Sequence, residues 1–510
     1  MSFPQPFVSS TSHWQATNRG PTSLYNHNKD AIPPSEADIL IIGGGMMGAA
    51  LSYFLTRNGA EGHGKKIVLV EAKDIASGAS GRNGGHIGPA TFNAYHNLLK
   101  PLPSGAGLSS REAVHVIQAE RDNLELITDI IRKEGLVDKV DFWKVPESPE
   151  STIPQKSMYL SWLAARQSFG LTGNGDTSFV EDVSEAKRIS RFKHASSVHL
   201  RPAGSVHSSV DISRECQVDA NIATSHKLCT ELVRLSLQSS ASDFDFYTWN
   251  PVSSLKPTAD GARWLAKTAR GDIKAKRVVL CVNAYTKNFF STNDPLHSHI
   301  KPHFSQVALI TPPATYSGEK ALQYTYNMAD DAYLIQTPTG GLVLGGGAAP
   351  LIRAGKLSPT VSDATDDSST IKVWDDWLAK YCPEHFEGWG PEGKGEGLTR
   401  VWSGILSQVK DKLPVVGPVP GKEGLFLAAG FHGHGMSRIF STGRALASTM
   451  KTGVFDEKLL PRSFELTTER LNRVRDMAVV KDEACLGEKK EEMEASPPQP
   501  KPGRWGCTIA

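Results

Sequence analysis

Two glycine-rich turns, nearly four hundred residues apart, constrain this chain more than any other feature. The first is IIGGGMMGAA, residues 41–50, and the second is AAGFHGHGM, residues 428–436. Each follows a short apolar run and opens a segment with helical spacing. In the first, Gly43, Gly45 and Gly48 form G-x-G-x-x-G between a strand expected over 37–43 and a helix expected over 46–58. The first glycine of such a turn permits a tight reversal, the second lets backbone approach a pyrophosphate, and the third lets helix and strand pack closely. Phosphate then sits on the helix N-terminus, where free N–H groups and the helix dipole favour an anion. Glu71 follows a second expected strand, KIVLV at 66–70, and its carboxylate suits ribose hydroxyls. It lies slightly beyond the usual spacing of about 20 residues, and the loop EGHGKK at 61–66 accounts for the excess. Strand, helix, second strand and terminal acid together predict dinucleotide binding.

A chain of 510 residues is longer than one typical domain, so two domains or an interleaved pair are expected. A net charge of +2 with scattered Lys and Arg argues against a nucleic-acid binder, which normally carries a basic stripe. The six cysteines, at 216, 229, 281, 382, 485 and 507, form no C-x-x-C pair and suggest neither a zinc site nor a disulfide framework. No metal is expected, and a reduced, cytoplasmic setting is the natural reading. The N-terminus lacks the basic and apolar regions of a signal peptide, and no run of 18 apolar residues is present.

Residues 1–36 read as an extended arm. Helices are expected over 110–135, where Val114, Ile117, Leu124, Ile127 and Ile131 recur at helical spacing, and over 219–237, 369–381 and 436–451. Strands are expected over 244–249, 263–269, 276–282, 399–408 and 425–429, with a hairpin in DDAYLIQTPTGGLVLGGG. The charged, Pro-rich stretch from 487 reads as disordered.

The segment AKDIASGASGRNGGHIGP, residues 72–89, is too polar and glycine-rich for a packed helix, and its small residues suit backbone lying against a flat ring. Here the chain resembles the D-amino-acid-oxidase-like family of FAD-dependent amine oxidoreductases. GASGRNGGH is similar to the corresponding stretch of gamma-glutamylputrescine oxidases and their fungal relatives, and SHWQAT, residues 12–17, resembles an N-terminal arm of that subgroup. The G-F-x-G-H-G pattern of the family is matched at Gly430, Phe431, Gly433, His434 and Gly435. VVLCVNAYT at 278–286 and the Trp402–Gly404 pair before LPVVGP match further family patterns.

The resemblance implies an α/β chain of α+β two-domain type: a Rossmann-like FAD-binding domain interleaved with a substrate domain on a mixed β-sheet. The FAD-binding parts are expected at 37–139, 216–297 and 391–460, the substrate parts at 140–215 and 298–390, and a C-terminal extension at 461–510. It also implies that the two glycine turns share one cofactor. Gly43, Gly45, Met46, Met47, Gly48 and Glu71 would hold the ADP half, and Val252 the adenine. Ser80, Arg82, Asn83, Gly84 and Gly85 would border the flavin, with Arg82 and Asn83 at its N5 edge or pyrimidine ring. Asn283 and Ala284 would close over the cofactor. Gly430, Gly433, His434, Gly435 and Met436 would hold the flavin half. Some relatives tether flavin to a cysteine near the strand matching RVWSGILSQ; this chain has none there, so non-covalent FAD is expected. Relatives also place a carboxylate-binding lysine just after G-F-x-G-H-G, where this chain has Ser437 and Arg438.

The implied reaction is oxidation of an amine or amino acid by hydride transfer to flavin N5, giving an imine that hydrolyses to a carbonyl compound. Oxygen or another acceptor would take the electrons, with hydrogen peroxide formed if it is oxygen. His86, Tyr333 and His432 are the catalytic candidates, expected to face one cavity. Two other readings stay open: a flavoprotein with little turnover acting as scaffold or trafficking factor, and an NADPH-dependent flavin monooxygenase. The latter usually carries Gly-Asp after the late strand, where this chain has AAGFHGHG. The C-terminal CTIA loosely fits a prenylation pattern at Cys507. Thr508 fits it poorly and the acidic run EKKEEME opposes an anionic membrane surface, so membrane attachment is not expected.

Overall fold

Five parallel strands place both glycine turns at one edge of one sheet. In spatial order they are Asp243–Tyr247, Lys66–Val70, Glu36–Ile42, Ile273–Leu280 and Leu425–Ala429. Ile39, Leu40, Ile41, Ile67, Val68, Leu69, Val278 and Val279 are fully buried, as expected of strands covered on both faces. Three further strands complete this eight-stranded sheet: Val252–Pro257 and Trp264–Thr268, antiparallel beside the first half of Ile273–Leu280, and Val415–Pro418, antiparallel to Leu425–Ala429. The computed structural model describes residues 9–475 except 91, 145–146, 152–155, 172–177, 181, 194–197, 203–220, 323–324, 329–331 and 338. Cys507 and the charged stretch from 487 lie outside the described residues.

The helices Met46–Leu55, Ser110–Lys133, Ser225–Leu237 and Ile439–Thr452 pack on this sheet and on one another through a shared apolar core. The longest starts at a capping box, with Ser109 and Glu112 satisfying each other's backbone N–H groups. The helix expected from 219 instead begins at Ser225, because Asn221–Ile222 pairs with His86–Ile87 and Trp143–Lys144 in a small sheet.

A second eight-stranded sheet is mixed. Its order is Gly397–Val409, Ile300–Thr311, Leu342–Gly345, Tyr333–Gln336, Thr325–Met328, Glu147–Ser151, Val198–Pro202 and Ser178–Val180. Segments 140–215 and 298–390 thus meet in one sheet. The expected hairpin is present as Tyr333–Gln336 paired with Leu342–Gly345. One boundary is corrected. Gly397–Val409 pairs along its whole length with Ile300–Thr311, so the chain returns to the first sheet after Val409 and not at 391. Backbone pairing with a distant strand decides this, and residue type does not.

Both expected terminal segments are tied into the fold. The arm contains a short helix, His13–Ala16, with Trp14 buried against Val307, Val343 and Trp402. The stretch past 461 forms the helix Thr468–Val474, with Leu471 and Val474 buried. Arg470 holds it down: its Nε and Nη2 donate to the two oxygens of Asp411 at 2.7 and 3.0 Å, and Nη1 and Nη2 donate to the carbonyls of Pro414 and Leu413. Although burial opposes it, the Arg470 guanidinium holds the Asp411 carboxyl at about 2.

Breaking this buried pair leaves a charge without its partner. Arg470→Ala is expected to lower stability by about 3–5 kcal/mol, read as an earlier thermal or denaturant midpoint. Asp411 has a depressed folded pKa, so its contribution is present above its ordinary value and lost as pH falls towards 2. Buried His299, 3.6 Å from Asp411, is lowered to about 4, chiefly by burial. Its share is complete above 6.5 and is lost as pH falls through 4. Acid titration of the wild-type midpoint should show both windows, and Asp411→Asn should remove the lower one.

Candidate active site

Steric limits shape the first turn. A Cβ on Gly48 would lie 2.0 Å from the carbonyl oxygen of Gly43, and one on Gly43, at φ +112°, would lie 2.6 Å from the carbonyl oxygen of Cys281. Any side chain at either place would push the helix Met46–Leu55 off the sheet or part Gly43 from the neighbouring strand end. Gly45 is the N-cap, and no side chain of its own covers the helix start. The first N–H, that of Met46, donates to Ser80 Oγ at 2.8 Å. Glu71 accepts from the N–H of Gly44 at 2.7 Å on one oxygen, and from Lys73 N–H and the Ser77 hydroxyl on the other. Burial pushes its carboxyl above the ordinary value, and the donors from Lys73 and Gly44 act against that.

One side chain ties the second turn to two other segments. Asn283 Oδ1 accepts from the N–H of Gly430 at 3.1 Å, from Phe431 N–H at 3.4 Å and from the Ser407 hydroxyl at 2.9 Å. It thereby joins three segments: the end of Ile273–Leu280, the last strand of the second sheet and the glycine turn. Asn283 is itself left-handed, with φ +43°. Beyond the turn a short 3-10 turn, Gly435–Ser437, precedes the helix, which starts at Ile439 and not at 436. Two buried polar groups on Ser110–Lys133 fix this entry. Asn123 donates to Met436 O and accepts from Ser441 N–H, while Glu120 accepts from Arg438 Nε at 2.7 Å and from Ala90 N–H.

Between the two turns runs a cavity of about 1020 Å³. Gly43, Gly45, Met46, Met47, Glu71, Ser80, Asn83, Val252, Asn283, Ala284, Gly433, Gly435 and Met436 all line it. Gly48, Arg82, Gly84, Gly85, Gly430 and His434 do not. Gly48 and Gly430 act through close packing, the latter with φ +78° and a Cβ position 2.9 Å from Val409. His434 Nδ1 donates to His432 O at 3.0 Å.

Arg82 requires a correction. It is buried and donates to the carbonyls of Ser77 and Ser403, with Asp367 3.7 Å away. Its guanidinium is used to join the loop to the second sheet and is turned from the cavity. The Trp402–Gly404 pattern has the same purpose: Trp402 Nε1 donates to Arg82 O, and a Cβ on Gly404 would press on Arg82 Cβ at 3.2 Å.

The catalytic candidates separate. His86 and Tyr333 come together, with ring centroids 5.5 Å apart and planes at 77°. Glycines make room for Tyr333: a Cβ on Gly345 would lie 2.2 Å from its ring, and one on Gly84 2.7 Å. Burial pushes the Tyr333 phenol up. None of the three lines the cavity, against the expectation that they face it together. His432 Nδ1 accepts from Val409 N–H at 3.1 Å, its φ is +49°, and burial holds its imidazole well below the ordinary value. His432 braces the turn.

A family model described as "FAD dependent oxidoreductase" matches residues 38–141 and 218–449, well over half the chain. The chain belongs to this family. Its cofactor is FAD, and it is an enzyme of the oxidoreductase class. It is 21% identical over 430 residues to the glycine oxidase of Geobacillus kaustophilus, an alignment covering 81% of this chain and 93% of that one. The crystal structure of that glycine oxidase shares its fold with a TM-score of 0.60, at 17% identity over 85% of this chain and 99% of the other. So does L-amino acid deaminase from Proteus myxofaciens, with a TM-score of 0.63 at 15% identity over 91% and 98%. L-proline dehydrogenase from P. horikoshii matches with a TM-score of 0.60, at 17% identity over 85% and 100%.

Several residues of the oxidoreductase's cavity escaped the sequence reading. Trp249 and Asn250 line one end, where their N–H groups bond to the carbonyls of Lys73 and Glu71. Lys73, Tyr285, Asp367 and Ser407 also line it. Tyr285 and Ser407 stand in segments that carry a family pattern. Asp367 lies in a polar loop that carries no local signal. Cys281 is buried and also borders the cavity, and burial pushes its thiol up. No group of metal-binding side chains occurs among the described residues, and no described helix is long and apolar enough to cross a membrane.

Glu71→Gln replaces one acceptor oxygen by a donor facing N–H groups. It should weaken FAD binding by about 1–3 kcal/mol, measured by titrating apoprotein with FAD. Gly45→Val should purify without flavin, because a Cβ there already lies 3.0 Å from the Ser80 hydroxyl. Full flavin occupancy in Gly45→Val would contradict the assigned turn.

Proposed function

We propose that this flavoprotein oxidises a C–N bond of an amine or amino acid, releasing an imine that water converts to a carbonyl compound and an amine. The observation that carries this reading is the single cavity reached by both glycine turns. Glycine oxidase, L-proline dehydrogenase and L-amino acid deaminase, which share the fold, are named for such substrates. Bound FAD supplies the two-electron acceptor, and the protein contributes binding, orientation and electrostatics.

In this reading Gly43, Gly45, Met46, Met47, Ser80 and Glu71 hold the ADP half, and Val252, Trp249 and Asn250 border the adenosine. Asn283, Ser407 and the Gly433–Met436 turn hold the other half. The start of the helix Ile439–Thr452 would turn its positive dipole end towards the ring. His86 and Tyr333, which pack on each other beside Gly84 and do not themselves line the cavity, would shape its substrate side from behind the lining residues. A buried site lowers the pKa of the amine, which must be neutral to give up hydride. Arg438 donates through Nε to Glu120 and does not line the cavity. The domain division proposed is a FAD-binding unit on the first sheet and a substrate unit on the second, with the site where they meet. Oxygen as terminal acceptor would yield hydrogen peroxide.

FAD is held without a covalent bond in this proposal, since Gly397–Val409 contains no cysteine. Acid precipitation should leave the yellow colour in the supernatant; colour in the pellet would overturn the point. Anaerobic mixing with a panel of primary and secondary amines and amino acids should bleach the flavin with at least one. Absence of bleaching across the panel counts against turnover. Tyr333→Ala should lower kcat/KM for that substrate by up to about a hundredfold through lost orientation, with FAD content unchanged.

A further inference from the structure

The loop Ser77–Gly85 is thin. One side borders the cavity through Ser77, Ser80 and Asn83, and Ser80 Oγ receives the first N–H of the helix Met46–Leu55. Beyond a single turn of 3-10 helix at Ala79–Gly81 it has no regular structure of its own. Its geometry is therefore set from its other side. Three consecutive carbonyls are gripped there: Gly81 O accepts from the Ser12 hydroxyl, Arg82 O from Trp402 Nε1 at 2.8 Å, and Asn83 O from Trp14 Nε1 at 2.6 Å. Two of the three donors belong to the N-terminal arm.

The arm is built for this contact. Ser12 and Gln15 close a capping box that fixes His13–Ala16, and the indole of Trp14 is only 2% exposed. Gly85 has φ +87°, and a Cβ on it would lie 2.9 Å from Trp14 Cζ2, so the loop carries a glycine where the indole sits. Further along, Ser10 Oγ takes a bond from Ser403 N–H at 2.9 Å and another from Arg82 Nη1 at 3.2 Å. Ser10 N–H donates to Asp367 O, and the Ser9 hydroxyl bonds to Asp367 Oδ1 and Lys73 Nζ, both of which border the cavity. Residues 9–16 thus span from the second sheet to the cofactor loop without lining the cavity themselves.

We propose that residues 9–16 are a clasp that positions the cofactor loop, so that arm docking and FAD binding reinforce each other. The inference rests on reading the cavity as the FAD site. A ligand that binds the docked state better than the undocked one stabilises docking, and docking raises affinity by the same factor. Ser12 and Trp14 are positioning residues in this account, because they act on FAD through Ser80 and Asn83.

The test uses full-length apoprotein and holoprotein. Trp14→Ala and Ser12→Ala should each raise the Kd for FAD about tenfold, the scale of a lost buried hydrogen bond. Trp14→Phe keeps the packing and loses the N–H; it should still bind FAD more weakly than wild type. Arg19 is exposed just beyond the clasp, so trypsin cleavage after it reports release of the arm. FAD should slow that cleavage in wild type and slow it much less in Trp14→Phe. A purely structural Trp14 would lower the unfolding midpoint without changing the FAD dependence of cleavage. If Trp14→Ala does not fold, Ser12→Ala, Trp14→Phe and wild-type proteolysis decide the matter. Unchanged Kd in those variants, or cleavage indifferent to FAD in wild type, overturns the clasp. Wild-type protein that binds no FAD overturns instead the reading of the cavity.

Discussion

Parallel pairing of Glu36–Ile42 with Ile273–Leu280, and of the latter with Leu425–Ala429, sets the terms for the rest of the molecule. Parallel strands end at the same edge of their sheet, and in open α/β sheets ligands bind outside those carboxyl ends. Here the strand ends are Gly43, Cys281 and Gly430, packed closely enough that Gly43 has no room for a Cβ beside Cys281. Parallel neighbours need long crossovers. The excursion between Leu280 and Leu425 holds most of the second sheet, and that between Val70 and Ile273 holds the rest. The second sheet is therefore built from the excursions between strands of the first.

Buried polar groups then convert a sheet edge into a shaped cavity. Asn283 and Glu120 each satisfy partners from two different segments, and Asn123 satisfies two within Met436–Ser441. Buried networks of this kind are unforgiving, because an unpaired member is costly in a low-dielectric interior. They define one arrangement of the Phe431–Ser441 segment. Arg82, Arg438 and His432 belong to the same class: each stands near the cavity, and each is engaged by backbone or by a buried carboxylate. The chemistry does not suffer from this. A reaction that hands two electrons to a cofactor asks the protein for position and for a field, and backbone N–H groups at two helix starts can provide both.

How much of this was legible beforehand follows the range of the interactions. The strand Glu36–Ile42, the helix after it, the strand Lys66–Val70 and the long capped helix are written in local apolar periodicity. Gly43, Gly45, Gly48 and Glu71 were legible because a tight turn and an acid at a strand end impose residue types at set spacings. The strand Gly397–Val409 was visible as a strand, yet its sheet was not, since membership depends on a register with Ile300–Thr311 that neither segment carries alone. The helix Thr468–Val474 drew no notice because a salt bridge to Asp411 holds it, across 59 residues of chain.

The amino-acid order by itself determined the elements, the two glycine turns and the class of cofactor, because backbone sterics and apolar spacing act over a few residues. Tertiary structure decided which polar side chains face the cavity and which hold it in shape. Arg82 and Asn83 are neighbours in sequence, both polar and both in a glycine-rich loop. One bonds to Ser403 behind the loop, and the other borders the cavity. Only the arm and the second sheet, arriving from distant parts of the chain, create the contacts that tell them apart.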